Sequence, residues 1–264
     1  MSKLNDKIVF ITGASSGMGK ACAEQFAAVG AKLILTARRL DKIEALTAEL
    51  KKQYGTLSLT LALDVQNKKQ VLQLIEALPS EWQAIDIVVN NAGLALDSVK
   101  FQDGNLDNWD TMIDTNLRGL LYVTRAIVPG MIQRKQGHII NIGSVAAHDY
   151  YPTGNIYSAT KTAVRAISKS LRIDLLGTGI RVTEIDPGLT HTEFSEVRWQ
   201  DKQKADAFYE GYTPLVANDI AEAVLFCANR PPHVDIAELV IYPTAQASNN
   251  HIHKQGNIAT KLFD

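Results

Sequence analysis

Cysteine is scarce. Cys22 and Cys227 are the only two in 264 residues, they are far apart, and each sits in an apolar helical pattern without C-x-x-C spacing. They read as small core residues rather than as a disulfide or a metal site. Long hydrophobic runs are also missing. No window approaches the roughly 18–20 apolar residues of a membrane span, and the first seven residues, polar apart from Met1 and Leu4, carry no apolar signal core. The expectation is a cytoplasmic protein with no membrane partner. Neither sign of charge is in excess, since 27 Lys and Arg face 28 Asp and Glu. That balance gives no global attraction to nucleic acid. The six histidines are scattered, and the only cluster, His251-Ile252-His253, lies in a polar tail with no cysteine or acid nearby. No metal site is expected.

The chain also lacks long Pro/Gly/Ser linkers, low-complexity tracts and internal repeats. With 46% hydrophobic and 21% charged residues, this length suits one well-buried domain, because two would be cramped at roughly 100–200 residues each. A β-branched and aromatic run at 7–12 ends in a glycine-rich turn, and helical periodicity follows from Gly17 to about Val29. The alternation repeats. Strands are expected near 32–36, 57–63, 85–90, 138–143, 180–185 and 237–242, with helices near 40–54, 67–78, 108–134, 155–176 and 217–229. Strands alternating with helices of ten or more residues predict right-handed crossovers and a doubly wound parallel sheet of the α/β class, covered on both faces. Two segments break the alternation: the polar, aromatic stretch 189–215, and the tail from 243 onward. The expected division is a single domain over 1–245, with a substrate lid near 189–215, and a tail over 246–264.

Thr12-Gly13-Ala14-Ser15-Ser16-Gly17-Met18-Gly19 joins the first strand to the first helix. A turn there brings backbone N–H groups and a helix N-terminus against a phosphate, and glycine permits close approach. The spacing is not G-x-G-x-x-G. It is not a Walker A loop either: five residues separate Gly13 from Gly19-Lys20, and Ala21 offers no hydroxyl for magnesium. The second strand ends in Arg38-Arg39, where a site preferring NAD usually carries an acid for the ribose 2′-hydroxyl. Arginine suits a 2′-phosphate, so NADP(H) is the expected cofactor. Asp64 and Val65 end the third strand, a place for an adenine contact, and Asn90-Asn91-Ala92-Gly93 ends the fourth.

Tyr157 and Lys161 are four apart in a helical stretch and so share a face, and Ser144 directly follows the strand at 138–143. An ammonium one turn away favours the phenolate of a tyrosine whose unperturbed pKa is about 10. Such a tyrosine can exchange a proton with an alcohol or carbonyl. Ser144 would then hydrogen-bond the substrate oxygen.

Thr12-Gly13-x-x-x-Gly17-x-Gly19, Asn90-Asn91-Ala92-Gly93, Asn116, Ser144, Tyr157-x-x-x-Lys161 and Pro187-Gly188 resemble, in order and spacing, the short-chain dehydrogenase/reductase family over about residues 5–245. The resemblance implies a seven-stranded, Rossmann-type parallel sheet with Asn116, Ser144, Tyr157 and Lys161 as catalytic residues. In the family the residue matching Asn116 supports a water-linked proton relay to the lysine, and the lysine also holds the nicotinamide ribose. Cofactor contacts are implied for Gly13, Ser15, Ser16, Gly17, Met18, Gly19, Arg38, Arg39, Asp64, Val65, Asn91, Tyr157, Lys161, Pro187, Gly188, Thr190 and Thr192.

Segments 78–82, 90–96, 109–116, 137–144 and 192–198 look more narrowly like the NADP-dependent 3-hydroxy-acid dehydrogenases, which also oxidise serine and L-allo-threonine. That likeness implies β-hydroxy carboxylate substrates and a homotetramer. Ser144, Tyr157 and Arg198 are then the expected substrate contacts, the guanidinium of Arg198 suiting a carboxylate. The departures are Val145-Ala146-Ala147-His148-Asp149-Tyr150-Tyr151, bulkier and more polar than the family pattern, and the tail after Ala245. Two other readings remain at this point: a broader carbonyl or 3-oxoacyl reductase, and a dinucleotide-binding regulator without turnover. Intact Ser144, Tyr157 and Lys161 weigh against the regulator.

Overall fold

The computed structural model describes residues 3–255. In chain order its elements are β1 (Ile8–Thr12), α1 (Gly17–Ala28), β2 (Lys32–Ala37), α2 (Leu40–Tyr54), β3 (Ser58–Ala62), α3 (Lys68–Glu76), β4 (Ile87–Asn90), α4 (Leu106–Ile113), α5 (Leu120–Arg134), β5 (Gly137–Ile142) and α6 (Asn155–Asp174). There follow β6 (Ile180–Pro187), β7 (Thr190–His191), α7 (Glu193–Trp199), α8 (Lys202–Phe208), β8 (Leu215–Val216), α9 (Ala217–Ala228), β9 (Glu238–Ile241), β10 (Gln246–Ser248) and β11 (His251–Ile252). Seven strands form one sheet in the order β3-β2-β1-β4-β5-β6-β9, and every pairing in it is parallel. This is the doubly wound sheet the alternation predicts.

Side chains alternate across a strand, so β1 feeds two cores at once. Val9 and Ile11 pack with Cys22, Phe26, Ile43 and Val224 on the face covered by α1, α2 and α9. Ile8 and Phe10 pack with Val71, Val123, Ile127 and Met131 on the face covered by α3 and α5. Both cysteines are free and buried, as expected. Burying a side chain such as Phe10 contributes about 1.5–3 kcal/mol. An unbroken apolar run is therefore what a strand covered on both sides requires.

Three local features depart from the expected pattern. The helix expected over 108–134 is interrupted by a π-helical turn at Asp114–Gly119, which joins α4 to α5. Hydrophobic periodicity does not register one widened turn, because the same face stays buried on either side. The segment 189–215 holds two short helices, α7 and α8, bracketed by the small β7·β8 pair. The tail carries a hairpin, β10·β11, bound far back along the chain: Asn249 Nδ2 donates to Val145 O at 3.1 Å, and Gln255 N to Gly211 O at 2.7 Å. The part of the expected tail over 256–264 lies outside the described residues. No helix among the described residues is long and apolar enough to cross a membrane.

Candidate active site

β1 and β4 are neighbours, and from them the sheet runs outward in opposite directions. A crevice opens at their carboxyl ends, the place where open α/β sheets bind ligands. Asn91 holds the glycine turn there, donating from Nδ2 to Thr12 O (2.9 Å) and Gly13 O (3.2 Å). Thr12 Oγ1 in turn accepts from the N–H groups of Asn91 and Ala92 at 3.0 and 2.9 Å. Gly13 has φ +68°, in the left-handed region that glycine enters without a side-chain clash. At Gly19 the constraint is space: a Cβ would run into Gly13 O and come within 2.5 Å of Asn91 Nδ2. Ser16 precedes α1 without capping it by its side chain, so the first N–H groups of the helix are left for an anion.

A cavity of about 300 Å³ lies over this turn, lined by Gly13, Ser15, Ser16, Gly17, Met18, Arg38, Arg39, Asp64, Val65, Asn91 and Thr192. Arg38 and Arg39 are both exposed at its rim. Arg39 Nη2 donates to Ser15 Oγ (3.0 Å) and Ser16 Oγ (2.9 Å), and its Nη1 lies 3.1 Å from Glu193 of α7. An uncapped helix start, a backbone cradle that a Cβ would fill, and a guanidinium beside two hydroxyls fit a phosphorylated dinucleotide with an extra 2′-phosphate.

A second cavity of about 120 Å³ adjoins the first, and Ser144, Tyr157, Lys161, Pro187, Gly188, Thr190 and Arg198 line it. Ser144 follows β5, while Tyr157 and Lys161 project from one face of α6. The Ser144 hydroxyl shares the cavity lining with Tyr157 and accepts from Ala146 N at 3.1 Å. Lys161 Nζ donates to Ile142 O at 2.8 Å and lies 5.9 Å from the Tyr157 ring centre. Burial lowers Lys161 to about 8, although Asp186 and Glu184 oppose the shift. Burial raises the Tyr157 phenol above its ordinary value, opposed by the Ser144 hydroxyl and by the charge of Arg198. The protein alone therefore keeps Tyr157 protonated. In the protein alone, burial outweighs the expected bias toward phenolate.

Asn116 lies in the π turn, buried, one layer behind Gly93. Its Oδ1 accepts from Leu94 N at 2.8 Å, and its Nδ2 donates to Leu94 O (2.8 Å) and Thr160 Oγ1 (3.1 Å). It is bonded to α6, which carries Tyr157 and Lys161, and does not line the cavity.

The segment α7–α8 roofs the second cavity. Phe194 packs 5.6 Å from Tyr157, and Arg198 stands over the Tyr151 and Trp199 rings at 5.5 and 5.6 Å. Arg198 Nε is buried without an acceptor. Sequence reasoning missed Asn249, which enters the same cavity wall from the tail hairpin. No local pattern marks it, because its partners at Val145 and Asp149 are about a hundred residues away.

Residues 7–203 match the family model described as short chain dehydrogenase. The chain is 44% identical over 257 residues to the NADP-dependent 3-hydroxy acid dehydrogenase of Schizosaccharomyces pombe, covering 97% of this chain and 99% of that protein. It is 46% identical over 241 residues to the sulfoacetaldehyde reductase of Chromohalobacter salexigens, covering 90% of this chain and 94% of the other. Among solved structures, the closed form of a serine dehydrogenase complexed with NADP+ superposes with a TM-score of 0.88 at 44% identity, covering 94% of this chain and all of that one.

Proposed function

The chain belongs to the short-chain dehydrogenase family, and on that premise we propose that it moves hydride between NADP(H) and the hydroxyl-bearing carbon of a 3-hydroxy acid. NADP(H), when bound, supplies or accepts the hydride and in its oxidised form adds positive charge beside the phenol. Gly13 through Gly19 and Asn91 hold the diphosphate, Arg38 and Arg39 the 2′-phosphate, and Asp64 and Val65 the adenine. Lys161, Pro187, Gly188, Thr190 and Thr192 line the nicotinamide end.

Tyr157 gives its proton to the carbonyl oxygen in reduction and takes it from the hydroxyl in oxidation. Ser144 hydrogen-bonds that oxygen and stabilises the charge developing on it. Lys161 is held by Ile142 O at the foot of Tyr157, and its charge favours loss of the phenolic proton. Asn116 fixes the backbone at Leu94, and through Thr160 it fixes the helix carrying Tyr157.

One observation carries the substrate class: Arg198 Nε is buried without an acceptor, in the cavity that Ser144 and Tyr157 line. A buried guanidinium donor left unpaired is costly, and a bidentate carboxylate satisfies it. The test is NADP+ reduction with L-serine, L-allo-threonine, 3-hydroxybutyrate and 3-hydroxypropionate, alongside their neutral esters and simple secondary alcohols. Arg198→Ala should raise KM for the acids about ten- to a hundredfold, as loss of a charged hydrogen bond predicts, and leave the esters nearly unchanged. An unchanged KM for the acids removes Arg198 from the site.

A sulfonate presents the same charge to the guanidinium, and the 46% identity to a sulfoacetaldehyde reductase supports including sulfoacetaldehyde in the panel. Turnover only of neutral ketones would favour the broader carbonyl reductase. A cytoplasmic homotetramer is part of the same proposal, with light scattering on the purified protein as its test.

A further inference from the structure

Behind the wall that carries Ser144 and Lys161 lies a charged cluster that the reaction as described does not use. Glu184 and Asp186 are two apart on β6 and so project from one face of the sheet, and Glu238 on β9 is in register with Glu184. Both β6 acids are buried, Glu184 1% exposed and Asp186 0%. Gly143 supplies the room, since a Cβ there would collide with Asp186 Oδ1 and approach Glu184 Oε1 to 2.7 Å.

One point beside Gly143 thus lies close to an oxygen of each carboxyl, so the two are near neighbours in a buried site, where two full negative charges would repel. Partners decide which one holds a proton. Asp186 accepts from Ser144 N at 2.9 Å and from His148 Nε2 at 2.8 Å, and both bonds favour its charged form. Glu184 Oε1 is buried with no donor in reach. Glu238 is occupied elsewhere, accepting from Arg165 Nε at 2.6 Å, with Lys169 on α6 also facing it.

We propose that Glu184 and Asp186 share one proton, held on Glu184 at neutral pH, and that the remaining charge on Asp186 serves as a positioning group for Ser144 and an electrostatic support for Lys161. The ionisable groups facing the pair are His148 from the loop after β5, Glu238 and Tyr242 at the end of the sheet, and Lys161, Arg165 and Tyr157 from α6. Arg165 favours an ionised Glu184, but burial beside two other acids outweighs it and holds Glu184 well above the ordinary carboxylate range. Asp186 and Glu184 both favour the charged form of Lys161. His148 belongs to the stretch that departs from the family pattern, and it closes the pair from the solvent side with 20% of its side chain exposed.

Two measurements test this. In cofactor-free protein labelled with ¹³C at the glutamate carboxyls, one glutamate signal should remain protonated at about pH 7, far above the ordinary range, and should vanish in Glu184→Gln. If every glutamate is ionised at that pH, the shared proton does not exist. The second variant, Asp186→Asn, keeps an acceptor for Ser144 N–H, removes the charge and turns a donor nitrogen toward His148. The alkaline limb of its kcat/KM profile for carbonyl reduction should move about one pH unit toward acid relative to wild type, about a tenfold loss on that limb. A loss of equal size at every pH would show a structural role only and overturn the electrostatic one. Should Asp186→Asn not fold, Glu184→Gln measured above pH 8 decides the same point. With no second charge to gain, its limb should also fall on the acid side of the wild-type limb, and superposition of the two would overturn the support of Lys161.

Discussion

Tyr157 and Lys161 stand one turn apart, yet burial moves them in opposite directions, raising the phenol and lowering the ammonium. Each shift disfavours the charged form, as desolvation must. Carbonyl reduction needs a protonated Tyr157 beside a charged Lys161, and both conditions hold below the Lys161 value of about 8. Activity in that direction should therefore stay level up to about pH 8 and fall above it, as Lys161 discharges. Tyr157→Phe should lose about 10²–10⁴ in kcat, the usual worth of a positioned proton donor. Fluorescence titration of the variant should still show NADP+ binding, because the ring and its Phe194 contact remain. Retained turnover in Tyr157→Phe would assign the proton to another group.

At the scale of elements, α7 links the two cavities. Glu193 begins it, holding Arg39 at 3.1 Å and Lys42 at 3.6 Å, while Arg198 near its end reaches the substrate side. A 2′-phosphate on Arg39 must compete with Glu193 for the same guanidinium. Because both partners are more than two-fifths exposed, the pair is worth no more than about 1 kcal/mol. Glu193→Gln should accordingly tighten NADP+ about two- to fivefold by calorimetric titration and leave NAD+ unmoved, whereas an equal effect on both would place Glu193 outside the competition. This contact was not legible in the sequence: Arg39 and Glu193 are 154 positions apart, and neither stands in a pattern that names the other. Elements whose signal is local were legible. β1, β2 and the α6 helix carrying Tyr157 and Lys161 follow directly from unbroken apolar runs and 3.6-residue periodicity. Features assembled from distant pieces were hidden, among them the hairpin that brings Asn249 to Val145 and the meeting of His148, Asp186 and Glu238 from three elements.

For the whole molecule, a net charge of −1 provides no overall field to draw in an anionic cofactor. Discrimination between NADP+ and NAD+ must then arise where β2 ends and the sheet presents Arg38 and Arg39 at the mouth of the crevice. Because that crevice is framed by β1, β2 and β4 at the centre of the sheet, cofactor binding is coupled to the stability of the entire fold. A ligand at a hundred times its Kd adds about 2.7 kcal/mol to the folded state. At about 2–4 °C per kcal/mol for a domain of this size, Tm should rise by roughly 5–10 °C. Thermal unfolding at equal, saturating NADP+ and NAD+ should therefore give clearly different midpoints, with NADP+ higher. In Arg38→Asp combined with Arg39→Ala the gap should close through loss of the NADP+ shift, while the unliganded midpoint moves little, because both side chains are exposed. A gap that survived the double substitution would locate 2′-phosphate recognition in the glycine turn and its serines instead.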